Sequence, residues 1–242
     1  MASSNPGTPT RLLLLHGAGL GSWIWERVLP ELNFPAEAID LPGRSGKGHP
    51  SEVTLQQCID FVAGRARGYR AVVVGHSFSA QMALGLASAY PQHVGAVILV
   101  GGIAQESGKP FTSLLPFVQR IFMNLMLRRA KEGVKLPPAL VKKEYCSDLD
   151  QGTTEFVMSR ISREAPRLYL DKLTWSGLPA QMPRLYVKLL KDRSLSSDLQ
   201  DEMMQRIAPT RMETLASGHL PMLSQPRELA AILNRGASQP MV

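Results

Sequence analysis

Cysteine is scarce in this chain. Cys58 and Cys146 are its two thiols in 242 residues, and no Cys-x-x-Cys pair occurs. A disulfide scaffold and a thiolate zinc site are therefore excluded, and two free thiols fit a reducing compartment. Long apolar runs are missing too: none approaches the ~18 residues that a membrane-spanning helix requires. The start, Met1-Ala2-Ser3-Ser4, has no basic region, and Leu12 to Leu15 is too short for a secretory signal core. These absences lead to the expectation of a soluble, cytoplasmic protein with no membrane partner. No internal repeat and no low-complexity linker divides the chain. A hydrophobic content of 44% suffices for a core. A single domain over residues 1–242 is expected.

Acidic residues are the minority, 20 against 27 basic ones, for a net charge of +7. That balance favours an anionic partner. The basic residues are scattered, however, and no tract interleaves them with aromatics for base stacking, which argues against nucleic acid. An acidic carrier or an anionic substrate stays open, as does a homodimer.

Short apolar runs alternate with longer helical patterns. Arg11–Leu15, Ala36–Leu41, Ala71–Gly75, Ala96–Val100, Arg184–Leu190 and Arg211–Leu215 read as strands. Helical spacing covers Trp23–Leu32 (with Ser22 as N-cap), Thr54–Arg67, Ala80–Tyr90, Ser197–Ile207 and Pro226–Leu233. Such alternation predicts βαβ units: a mostly parallel six-stranded sheet flanked by helices, fold class α/β. Residues 104–182 break the rhythm, with no convincing strand and a clear helix over Leu114–Leu127. We read them as a helical cap, inserted at the carboxyl edge of the sheet where open α/β folds bind ligands. Phe111, Phe117, Phe122, Met123, Met126 and Leu127 give it an apolar character, read mainly as packing between cap and core. Phe122 and Met126 are candidates for contact with substrate. Arg128, Arg129, Lys131, Lys135, Lys142 and Lys143 give it a basic side.

The sharpest local signal is Val72-Val73-Val74-Gly75-His76-Ser77-Phe78-Ser79-Ala80, a strand running through Gly-x-Ser-x-Ser straight into a helix. It resembles the nucleophile elbow of the α/β-hydrolase family, in which a tight strand-to-helix turn projects a serine above the sheet. The family usually has glycine where this chain has Ser79. His16-Gly17-Ala18-Gly19 follows the first strand, where the family keeps its oxyanion loop, so the donors to a tetrahedral intermediate would be the backbone N–H groups of Ala18 and Phe78. His16 is read as a brace for that loop. His219 follows the last strand, where the family keeps its catalytic base. Asp192, at the end of the preceding strand, would be the acid that orients it, with Asp198 and Asp201 as runners-up. The expected catalytic set is Ser77, Asp192 and His219, with no metal and no cofactor.

Gly21-Ser22-Trp23-Ile24-Trp25 and Met222-Leu223-Ser224-Gln225-Pro226 are similar to the branch holding plant methylesterases and hydroxynitrile lyases. Three readings follow. The first is a serine carboxylesterase acting on a small to medium apolar ester. The second is a lyase cleaving cyanohydrins with the same residues. The third is a ligand-binding receptor or carrier on the same scaffold. Lyases of this branch carry threonine after the oxyanion-loop histidine and lysine after the catalytic histidine. This chain has Gly17 and Leu220 there, which we take as substrate-facing positions, and the resemblance then favours the esterase.

Overall fold

The structure is a computed structural model and describes residues 10–44 and 49–238. The expectation about a leader falls on residues 1–9, outside the described residues. Six strands form one sheet: β1 (Thr10–Leu15), β2 (Ala36–Ile39), β3 (Arg70–His76), β4 (Val94–Val100), β5 (Arg184–Leu189) and β6 (Arg211–Leu215). Their spatial order is β2-β1-β3-β4-β5-β6, and every neighbouring pair is parallel. The crossover from β1 runs to one side and the chain then returns to the other, so the order reverses between β1 and β3. In sheets of this kind ligands bind at such a switch point, beyond the carboxyl ends of the strands.

Alternation along β1 shows why the sheet is covered on both faces. Leu12 and Leu14 join Val72, Val74 and Ile98 in one apolar cluster, while Leu13 and Leu15 join Val73 and Leu99 in the other. All four leucines are fully buried. Period-two side chains between two helical layers give an unbroken apolar run in sequence. α1 (Leu55–Ala66) begins with a capping box, in which Thr54 Oγ1 accepts from Gln57 N and the Gln57 side chain answers Thr54 N. α2 (Ala80–Ala89) is buried along most of its length.

Four expectations are corrected. The helix foreseen over Trp23–Leu32 is a pair of short 3₁₀ turns, Ser22–Trp25 and Leu29–Glu31, because Pro30 has no N–H to continue a helical ladder. Gly21, not Ser22, is the N-cap, and Ser22 instead donates its backbone N–H to Asp40. The segment between β4 and β5 does contain strands: Lys109–Pro110 pairs antiparallel with Lys172–Leu173. Two residues carry too little pattern to be read from sequence. Its main helix, α3 (Phe117–Arg129), starts after Pro116 rather than at Leu114, and Phe111–Leu114 forms a separate 3₁₀ turn. The same segment adds α4 (Gln151–Arg160), capped by Asp150. After it come α5 (Ser197–Ile207) and α6 (Pro226–Ala237), each behind its strand. Among the described residues no helix is long and apolar enough to cross a membrane.

Candidate active site

β3 and α2 meet in a turn that leaves no room for side chains. A Cβ on Gly75 would stand 2.8 Å from the carbonyl oxygen of Ser79 and 3.0 Å from Ala80 Cα. Between them Ser77 adopts φ 50°, a left-handed conformation that a non-glycine residue holds only under constraint from its surroundings. The serine is nearly buried, at 6% exposure. Its carbonyl accepts from Ile103 N at 3.1 Å, which ties the turn to the strand end beside it. Ser79, which replaces the expected glycine, gives its hydroxyl to the carbonyl of His16 and so joins the turn to the loop leaving β1.

Two buried histidines brace these loops. His16 Nδ1 meets the carbonyl of Gly17 at 3.0 Å, and its Nε2 accepts from Leu41 N at 3.4 Å. Burial, reinforced by the nearby Arg44 guanidinium, lowers its pKa to about 3, so the ring is neutral. His76 Nε2 donates to the carbonyl of His219 at 2.8 Å. Its pKa is held well below the usual value by burial first and by His219 second.

His219 lies beyond β6 and Asp192 beyond β5. The ring's Nδ1 meets Asp192 Oδ2 at 2.8 Å, with both side chains wholly buried. The other carboxylate oxygen accepts from Ser194 N at 2.8 Å and Leu195 N at 3.0 Å. Asp192 is thus fixed by two backbone donors and aimed at one ring nitrogen. The opposite nitrogen, Nε2, has no hydrogen-bond partner, Ser77 Oγ included. The other two aspartates are employed elsewhere: Asp201 pairs with Lys188, and Asp198 is exposed in the first turn of α5.

Four residues that sequence reasoning missed complete the surroundings. The Tyr145 ring packs against His219, centroids 4.5 Å apart. Burial pushes its phenol pKa up, so it stays protonated. Asp148 accepts from Gly218 N at 2.6 Å, one residue before His219. The fully buried pair Arg44–Glu164 clamps the loop after β1: Glu164 Oε2 accepts from Gly19 N at 3.1 Å, and Arg44 Nε donates to Leu20 O at 3.0 Å. Ser162 N closes the clamp on Gly19 O at 2.9 Å. Each of these contacts spans more than twenty positions, and none follows a local motif.

The sequence pattern described as "Alpha/beta hydrolase family" matches residues 12–232. The chain belongs to this family. It is 28% identical to Methylesterase 17 of Arabidopsis thaliana over 260 aligned positions, covering 95% of this chain and 92% of that protein. Among solved structures it is similar to an extracellular alpha/beta-hydrolase from a Paenibacillus species, with TM-score 0.85 and 14% identity, covering 96% of this chain and all of the other. A methylesterase structure from Arabidopsis gives TM-score 0.78 at 20% identity, covering 95% and 99%.

A cavity lies beyond the end of β4, with Ile103 in its wall. It measures about 710 Å³ and is mostly apolar, with walls that include Phe111, Leu114, Met123, Met126, Leu127, Leu136 and Tyr169. Ser77 and His219 do not themselves line it. Its wall touches the serine turn: Ile103 N donates to Ser77 O, and the rings of Phe111 and Tyr169 pack on Phe78 at 4.6 and 4.7 Å. Met126 is part of the wall. Phe122 is not: it is 69% exposed and points away. Helical spacing showed that Phe122 shares a face with other apolar residues, but it could not show what covers that face. Leu220 is fully buried in the apolar cluster that also holds Tyr145, and it is not part of this cavity's wall. Gly17 lies against His76 and Ser77, where an added Cβ would stand 2.9 Å from His76 Nδ1.

Proposed function

We propose that this hydrolase cleaves carboxylic esters with an apolar acyl or alcohol part, by an acyl-enzyme mechanism on Ser77, His219 and Asp192. The observation that carries the reading is the buried His219–Asp192 pair. It holds Nδ1 at 2.8 Å from the carboxylate and leaves Nε2 without a hydrogen-bond partner. In the reaction Ser77 Oγ rotates toward Nε2, as apo catalytic contacts commonly tighten only when substrate is bound. His219 takes the hydroxyl proton while Oγ attacks the ester carbonyl. The oxyanion is received by the backbone N–H groups of Ala18 and Phe78, neither of which donates to an acceptor in the loop and turn bonds of the described residues. The tetrahedral intermediate expels the alcohol, protonated by His219, and leaves acyl-Ser77. A water molecule, deprotonated by His219, then releases the acid and restores the serine.

Residues 104–182 act in this scheme as a cap whose apolar wall receives the ester's side groups. Leu220 provides no cation after His219, unlike the lysine that the resemblance leads one to expect in a lyase. The test is a panel of p-nitrophenyl esters from acetate to octanoate, run beside mandelonitrile. Saturable hydrolysis with a burst, rising with chain length, supports the proposal. Cyanide release without ester cleavage assigns the lyase, and the absence of both reactions assigns a binding protein.

A further inference from the structure

α3 has apolar side chains on two opposite sides. Met123 and Leu127 face the cavity. On the far side Phe117, Val118, Ile121, Phe122 and Leu125 stand in solvent, each between 48% and 75% exposed. At the helical rotation of 100° per residue these five occupy an arc of about 140°. Arg128 and Arg129 continue the same arc one turn on, and α3 contains no acidic residue. Among the described residues neither arginine takes part in an ion pair, and nor do Lys131 and Lys135 just beyond them. A contiguous apolar face of this kind on a folded chain marks an interaction site.

We propose that the exposed face of α3 docks on an anionic lipid surface. The apolar side chains would enter the headgroup boundary, and Arg128 and Arg129 would meet lipid phosphates. Charge decides between the two natural occupants. A second copy would bind isologously, the patch against itself, and would bring unpaired arginines together with no acid in the helix to answer them. An anionic surface complements the apolar arc and the cations at once, and the chain's net charge of +7 has the same sense. The docking departs from the expectation of no membrane partner, which rested on the absence of a spanning run and of a secretory signal. One consequence rests on the esterase reading: an apolar ester dissolved in the surface would meet the cavity on the other side of the same helix.

Sedimentation with vesicles tests the docking without any assay of activity. The protein is mixed with vesicles of phosphatidylcholine alone or with about one third phosphatidylserine. Binding is expected to the second kind only. It is expected to weaken roughly tenfold or more at high salt, in Phe117→Ser/Val118→Asp, and in Arg128→Glu/Arg129→Glu. These side chains are exposed, so the variants keep the fold, which circular dichroism verifies. No binding to anionic vesicles, or binding that the variants leave unchanged, overturns the proposal. So does a stable dimer in light scattering that Val118→Asp dissociates. Hydrolysis of a soluble p-nitrophenyl ester is read separately: vesicle binding without it keeps the docking and removes the esterase reading.

Discussion

At Gly17 the space that a side chain would need is already taken. His76 Nδ1 stands 2.9 Å and Ser77 Cβ 3.2 Å from the position of an added Cβ. Threonine there, paired with Leu220→Lys, is the obvious route toward lyase chemistry when only the sequence is considered. The packing predicts otherwise. Gly17→Thr should push on the serine turn, lower both ester turnover and the thermal midpoint, and release no cyanide from mandelonitrile. Asp192 belongs at the same scale. Asp192→Asn presents the wrong hydrogen-bonding group to His219 Nδ1 and should cut kcat by on the order of 10⁴, whereas Asp198→Asn, exposed on α5, should leave kcat unchanged. Steady-state kinetics of the two variants side by side checks the assignment.

Between elements, the loop after β1 is held from a distance. Arg44 and Glu164 lie 120 positions apart and are almost fully buried, and together they bind Gly19, Leu20 and Arg163. Glu164→Ala strands a guanidinium in a dry interior. Removing one partner of a buried pair costs about 3–5 kcal/mol, so the unfolding free energy from urea titration should fall by that much and the midpoint with it, with Glu164→Gln intermediate. An unchanged midpoint would mean that the clamp is not structural. This clamp marks where sequence reading ended. The strands were legible because runs such as Leu12–Leu15 and Val72–Val74 have few other uses, and the serine turn was legible because Gly75, Ser77 and Ser79 sit at fixed spacing. The partners of Gly19 and Gly218 were not, since Glu164 and Asp148 reach them through tertiary contacts. The α3 face failed for a related reason: periodicity finds a stripe, and only the fold shows whether anything lies over it.

For the whole molecule, the strand order β2-β1-β3-β4-β5-β6 brings the ends of β1 and β3 to the switch point and sets Asp192 and His219 on the neighbouring strand ends. Two neutral histidines lie beneath that arrangement, and they make its stability depend on pH. His16 has its pKa lowered to about 3, and that of His76 is also well below the ordinary value near 6.5. Below pH 6.5 the unfolded chain takes up protons at both sites while the folded chain does not. Stability is therefore complete above 6.5 and, for His16, is lost as pH falls toward 3, by about 1.4 kcal/mol per pH unit, with His76 adding a loss in the same direction. Urea unfolding should be level from about pH 7.5 to about 6.5 and show that slope from there to about 5, and a flat profile throughout would contradict neutral, buried rings.

The central claim is that Ser77, strained at φ 50° above the sheet, is the nucleophile. Reaction with a fluorophosphonate, followed by peptide mass mapping, tests it most directly. A single adduct on Ser77, lost in Ser77→Ala and strongly slowed in His219→Ala, is the predicted result. An adduct on another residue, or none from protein that hydrolyses esters, would contradict the account.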